Sequence, residues 1–112
     1  GFSKDEQTSV LNILKSVLCL GNVVFEEGPV INGKGTSKIS EKSNGYVKTL
    51  SECLKINERV LTKTLTIQDM AVGGRGSFVS IPRSKDNAEA NCNSLAKRLY
   101  GKLFAWLVER IN

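Results

Sequence analysis

The stretch Gly28-Pro29-Val30-Ile31-Asn32-Gly33-Lys34-Gly35 matches the GxxxxGK spacing of a phosphate loop. That chemistry needs backbone N–H groups around a phosphate, a lysine on its outer oxygens and a Ser or Thr hydroxyl on magnesium. Gly35 stands where the hydroxyl is needed, and Pro29 removes one N–H. Residues 36–42 supply no apolar helix whose dipole would face the anion. The segment is therefore read as a surface loop. The turn Gly73-Gly74-Arg75-Gly76-Ser77 is a second candidate. Its backbone N–H groups would suit an anion-binding nest. Ser77 would equally suit phosphorylation at an exposed tip, with Arg75 two residues before it. Read alone, such a tip is simply a turn. The pair Glu26-Glu27 borders the loop and reads as solvated. With no histidine in the chain, neither a Ser-His nor a Cys-His nucleophile is available. No catalytic residue and no metal-ligand set is assigned. Cys19, Cys53 and Cys92 are odd in number, widely spaced and set among apolar residues, which reads as reduced thiols in a core.

The elements that must hold these residues are mostly helical. Ser3 with Glu6 forms a capping-box pattern, and Val10, Leu11, Ile13, Leu14, Val17, Leu18 and Leu20 follow at helical spacing. This predicts a helix over 3–20, stopped by Gly21. Its apolar surface is wide enough to need cover from more than one side. Residues 22–26 read as a short extended piece. Residues 26–45, rich in Gly, Ser, Lys and Asn, read as a long flexible loop. Short helices are expected over 46–54, with Val47, Leu50, Cys53 and Leu54 inward, and over 58–65, with Val60, Leu61 and Leu65 as its apolar residues and Asn57 as cap. A hairpin is expected over 66–81, its strands joined by the glycine turn and ended by Pro82. Ser84, Asp86 and Asn87 then open a long helix over 84–112. Its buried side is expected to hold Cys92, Leu95, Ala96, Leu99, Leu103, Phe104, Trp106, Leu107 and Ile111. The fold class is mainly α with a small β-hairpin.

The chain has 112 residues and a formal charge of +5. Up to Ile56, seven lysines face six acids; beyond it, nine Lys and Arg face five acids, so the surplus lies in the second half. A basic surface suits an acidic partner: nucleic acid, anionic lipid or an acidic protein. No apolar run spans a bilayer, and the polar start is not that of a signal peptide.

Several stretches together resemble one family. Gly1-Phe2-Ser3-Lys4-Asp5-Glu6-Gln7 is similar to the GFS-x-x-EQ helix start of the myosin head, and residues 17–23 (VLCLGNV) to its LHLGNI. Residues 65–72 and 77–82 resemble the strands around its actin-facing cardiomyopathy loop. Asn93-Ser94-Leu95-Ala96-Lys97 resembles DALAK, and residues 103–112 (LFAWLVERIN) resemble LF-x-WLV-x-RIN. The departures are Cys19 where His is usual, Lys15-Ser16 where small apolar residues are usual, and Asn93 where Asp is usual.

The resemblance implies a fragment of the upper, actin-facing half of a motor head, with long helices flanking a two-stranded loop. It implies filamentous actin as the partner of the parent head, a cytoplasmic, cytoskeletal setting, and ATP with magnesium bound by parts of the parent outside these residues. It implies an actin-facing loop of Gly73, Gly74, Arg75, Gly76, Ser77 and Phe78. Ser77 lies sixteen residues before Asn93, on the position where the family carries Thr, Glu, Asp or Ser and where a negative charge favours actin-stimulated ATPase activity. Ser77 is thus the expected regulatory phosphosite, with a kinase as a further partner. No nucleic-acid partner and no membrane insertion are expected. The isolated piece is expected to self-associate through its wide apolar helix faces. The alternative reading is a small basic helical module for nucleic acid or an acidic protein.

Overall fold

The computed structural model describes residues 2–73 and 76–111. Helix α1 (Lys4–Asn22) leads into a small antiparallel pair, β1 (Phe25–Glu27) and β2 (Ser37–Ile39). A 3-10 turn, Glu41–Ser43, feeds helix α2 (Asn44–Leu54), and α3 (Glu58–Thr66) follows. The second antiparallel pair is β3 (Ile67–Val72) with β4 (Ser77–Pro82), and α4 (Lys85–Ile111) closes the order.

The helix starts follow local chemistry. The Glu6 N–H donates to the Ser3 hydroxyl at 3.1 Å while the Ser3 N–H donates to the Glu6 carboxylate at 3.0 Å, so two orphan donors of the first turn are satisfied. The Asn57 side chain accepts from the Arg59 N–H, and the Ser84 hydroxyl from the Asn87 N–H. Helix α1 passes through Gly21 and ends at Asn22, whose side-chain amide donates to the Leu18 carbonyl.

Residues 26–45 are not the unpatterned loop that their composition suggested. Phe25, Glu26 and Glu27 pair with Ile39, Lys38 and Ser37. Beyond them Ile31 and Lys34 exchange both backbone hydrogen bonds at 2.9 Å. Between these two, Asn32 and Gly33 hold φ of 51° and 75°. Two successive positive-φ residues, Asn then Gly, form the tight turn whose twist matches that of a hairpin. Gly28 lies so close to Thr36 that a Cβ there would meet the Thr36 hydroxyl. The hairpin is anchored because Phe25 is buried at its root and Ile39 packs on the core.

That core lies where the second half of α1, strand β1, helices α2 and α3 and the first half of α4 meet. Phe25, Leu50, Leu65 and Ala88 are the most deeply enclosed of its apolar side chains, with Cys19, Leu20, Val47, Leu61 and Cys92 around them. Ser16 is fully buried, and its hydroxyl donates to the Asn12 carbonyl at 2.8 Å. A serine satisfied within its own helix thus does the work of a small apolar residue.

Helices α1 and α4 run antiparallel, since the start of the one meets the end of the other. Phe2 stacks on Trp106 with centroids 5.6 Å apart. Arg110 lies over the Phe2 ring and gives two 2.9 Å hydrogen bonds to the Glu6 carboxylate. The acid sits at a helix start and the base at a helix end, as both dipoles favour. Elsewhere the apolar arcs are less covered than periodicity suggested. Phe104 and Ile111 were expected inward, yet both are exposed. Leu11, Leu14 and Leu18 of α1 are exposed as well. Periodicity marks an apolar arc but does not state how much of it finds a neighbour.

Two measurements follow. Leu65→Ala should lose about 3 kcal/mol, the cost of a cavity in a closed site, read as a lowered urea midpoint. The Arg110 guanidinium and the Ser3 N–H hold the Glu6 carboxyl down from an ordinary 4.5 to about 2. A depressed carboxylate stabilises above its ordinary value, and that contribution fades as pH falls toward the folded-state value. The stability gap between the native chain and Glu6→Gln should therefore be full at pH 7 and shrink as pH falls from 4.5 to about 2; thermal melts across that range check it.

Candidate functional site

The ribbon β3–β4 grows directly out of α3. Thr66 ends the helix, and the Ile67 N–H still donates to the Lys63 carbonyl. At the other end the Arg83 N–H donates to the Thr66 carbonyl at 2.8 Å, closing the ribbon's root. Six cross-strand pairs run from Ile67 with Pro82 to Val72 with Ser77. Directly paired residues share a face of a ladder. One face therefore carries Gln68, Met70 and Val72 with Ile81, Val79 and Ser77. The other carries Ile67, Asp69 and Ala71 with Pro82, Ser80 and Phe78. On that second face the Ser80 hydroxyl donates to the Asp69 carboxylate at 2.6 Å.

Only the root of the ribbon is sheltered. Ile67, Gln68, Ile81 and Pro82 are half-buried, and every described residue from Asp69 to Ser80 is exposed. Phe78 is 68% exposed, and Met70, Val72 and Val79 are each 45–48% exposed. Met70, Val72 and Val79 share one face of the ribbon, and Phe78 stands on the other.

Of the residues singled out from the sequence, Gly73, Gly76, Ser77 and Phe78 all fall at or beside this tip. Gly73 and Gly76 hold φ of 69° and 75°, a backbone region that strongly favours glycine. Ser77 is the first residue of β4, exposed and opposite Val72. Gly74 and Arg75 lie outside the described residues.

The other sequence candidates come to no common site. In the GxxxxGK stretch the N–H groups of Gly28, Ile31 and Lys34 already serve the hairpin. The stretch leads into a strand, not a helix. These residues do not fit a bound nucleotide. Glu26 pairs loosely with Lys38 at 3.8 Å on the surface. Cys19, Cys53 and Cys92 are free thiols. Burial raises the Cys19 thiol, with the neighbouring Cys53 adding to it, and burial pushes Cys92 up to about 11. Both are poor nucleophiles. Among the described residues, no group of three or more His, Cys, Asp or Glu is placed to hold a metal, and no helix is long and apolar enough to cross a membrane.

One feature had no sign in the sequence. At the ribbon's root, Val60, Lys63, Thr64, Ile67, Asp69 and Arg83 line a cavity of about 410 Å³. It joins residues of α3 and β3 with Arg83 of the link between β4 and α4, and no local spacing rule brings them together.

The arrangement defines a helical block that projects a bare, glycine-tipped ribbon from the foot of its longest helix. Over residues 1–112 the chain matches the family described as Myosin head (motor domain), and it belongs to that family. Similar relatives are Unconventional myosin-Ib of Rattus norvegicus, 37% identical over 112 residues, and Myosin-1 of Pyricularia oryzae, 36% identical over 112 residues. Myosin IE heavy chain of Dictyostelium discoideum is 32% identical over 114 residues. Each alignment takes in 100% of this chain, which spans 10%, 9% and 11% of those relatives, about a tenth of their length. With this membership, the alternative of an unrelated basic module falls.

Proposed function

We propose that this chain is the part of an actin-based, ATP-driven motor head that offers the β3–β4 ribbon to filamentous actin. On this reading ATP and magnesium are bound elsewhere in the parent, and the setting is the cytoplasmic cytoskeleton. The observation that carries the reading is the bare ribbon tip, with Ser77 exposed beside Phe78, Met70, Val72 and Val79. The ladder pairing fixes the backbone that carries these side chains, so docking need not order that backbone.

Ser77 is the regulatory position in this proposal. A phosphate would bring about −1.5 to −2 charge to the tip at neutral pH. Arg75, two residues before Ser77, suits recognition by a kinase that prefers basic neighbours. The phosphate would then engage a basic group on the filament or the ribbon itself.

The test belongs in the full motor head. Ser77→Ala should lower actin-activated ATPase activity by about tenfold, the equivalent of one charge-assisted hydrogen bond. Ser77→Glu should keep most of the phosphorylated activity, and neither should alter the melting temperature. Equal rates for Ala, Glu and phosphorylated heads would end the regulatory reading.

The isolated chain is also expected to self-associate. Leu11, Leu14 and Leu18 leave an apolar stripe along α1, and Tyr100, Phe104 and Ile111 leave another along α4. Leu18→Glu, at a position 67% exposed, should shift light scattering toward monomer without loss of helicity. A native chain that stays monomeric at high concentration would refute this.

A further inference from the structure

The hairpin tip that mimics a phosphate loop in spacing holds a different chemistry. Asn32 and Gly33 form its turn, at φ of 51° and 75°, and residues 31–35 are all exposed. Both main-chain hydrogen bonds that close the turn join Ile31 to Lys34, and the Gly33 N–H gives none among the described residues. Gly33 also stands in open space: a Cβ there would meet no atom within 4 Å. Its main-chain nitrogen is thus uncrowded and next in the chain to the Asn32 side-chain amide, so attack on that carbonyl carbon is an intramolecular step. Attack needs a rotation out of the turn. The bridge between Ile31 and Lys34 lies outside strands β1 and β2, and exposed ends of this kind open at low free-energy cost. Asn44 also precedes a glycine, Gly45. It begins α2 with a helical φ of −56° and ψ of −37°, and its N–H donates to the Glu41 carbonyl. Opening there disturbs a helix that packs on the core through Val47 and Leu50.

We infer that Asn32 is a site of spontaneous covalent modification, in which Gly33 displaces the nitrogen of its side-chain amide. Hydroxide removes the Gly33 N–H proton, and that nitrogen bonds to the Asn32 Cγ. The Cγ–Nδ2 bond breaks, and ammonia leaves with a proton taken from water. Water then opens the cyclic imide at one of its two carbonyls. Opening at Cγ gives aspartate; opening at the main-chain carbonyl gives isoaspartate. No oxidant or reductant takes part. Either product sets a carboxylate beside Lys34 and lowers the formal charge of +5 by one. In isoaspartate the main chain runs through the side chain and is longer by one carbon, so Ile31 and Lys34 cannot keep both of their bonds. The step involves neither the β3–β4 ribbon nor Ser77, and it stands apart from the function proposed for them.

The test is a timed incubation of the full motor head at neutral and mildly alkaline pH, followed by peptide mapping with mass spectrometry. Asn32 should lose its amide about tenfold faster than Asn44, whose helix must open first. The rate should rise with hydroxide. Asn32→Gln should remove the signal without altering the melting temperature, because the longer side chain closes the ring poorly. Hydrogen exchange over residues 29–35 should be faster in the isoaspartate product and unchanged in Asn32→Asp, which alters charge alone. Asn44 reacting as fast as Asn32 would overturn the assignment, since both precede glycine and only the fold separates them. So would an intact Asn32 under conditions in which a free peptide of residues 28–36 reacts. Equal exchange in the isoaspartate product and in Asn32→Asp would overturn the loss of the turn.

Discussion

Leu65 and Ala88 are both closed off from solvent, and they hold the two ends of the ribbon. Leu65 is the last core residue of α3 and Ala88 the first of α4; everything between them must leave the body and return. The backbone bond from Arg83 to Thr66 closes that exit. The ribbon is therefore not a loose loop. Its half-buried root lies against the packed interior, and its direction follows from how α3 and α4 meet there. The tip is joined to that root through six ladder pairs. The same junction creates the cavity below the ribbon, because a helix end, a strand start and the residue that follows Pro82 cannot fill the corner completely.

Much of this was legible in the residues. The Ser3–Glu6 reciprocity, the Asn57 cap and the Ser84 start each depend on neighbours within three positions, and such local signals survive in any context. The β3–β4 ribbon was also readable, since two extended runs flank glycines that permit positive φ. The β1–β2 hairpin was not read, although Asn32-Gly33 is the strongest short signal for one. Its strands are three residues each, too short to show alternation, and its turn lies inside the GxxxxGK spacing, which mimics a phosphate loop. Burial was the weakest inference. Val60 and Phe104 lie on apolar arcs, but which part of an arc is covered depends on elements far off in sequence. The root cavity depends on the same long-range packing, so only the tip half of the candidate site could be anticipated.

Family membership gives the departures in the first helix a physical reading. Ser16 stands where a small apolar residue is usual, and its hydroxyl is absorbed by the Asn12 carbonyl, so the close approach of helices is kept without a polar atom left unmet. Cys19 remains a buried thiol, and its environment favours the neutral form.

The slab-like outline, 55 × 38 × 22 Å, has a thermodynamic consequence. A compact chain of this mass would expose about 6,100 Å² by the usual mass scaling, whereas this one exposes 8046 Å². The excess is more than twice the roughly 800 Å² that one partner buries in a standard protein–protein contact. Such a body has more rind than pith. Its melting behaviour is set less by its own interior than by whatever is laid against it, and its heat capacity of unfolding should be small for its length, since less apolar area is hidden to begin with.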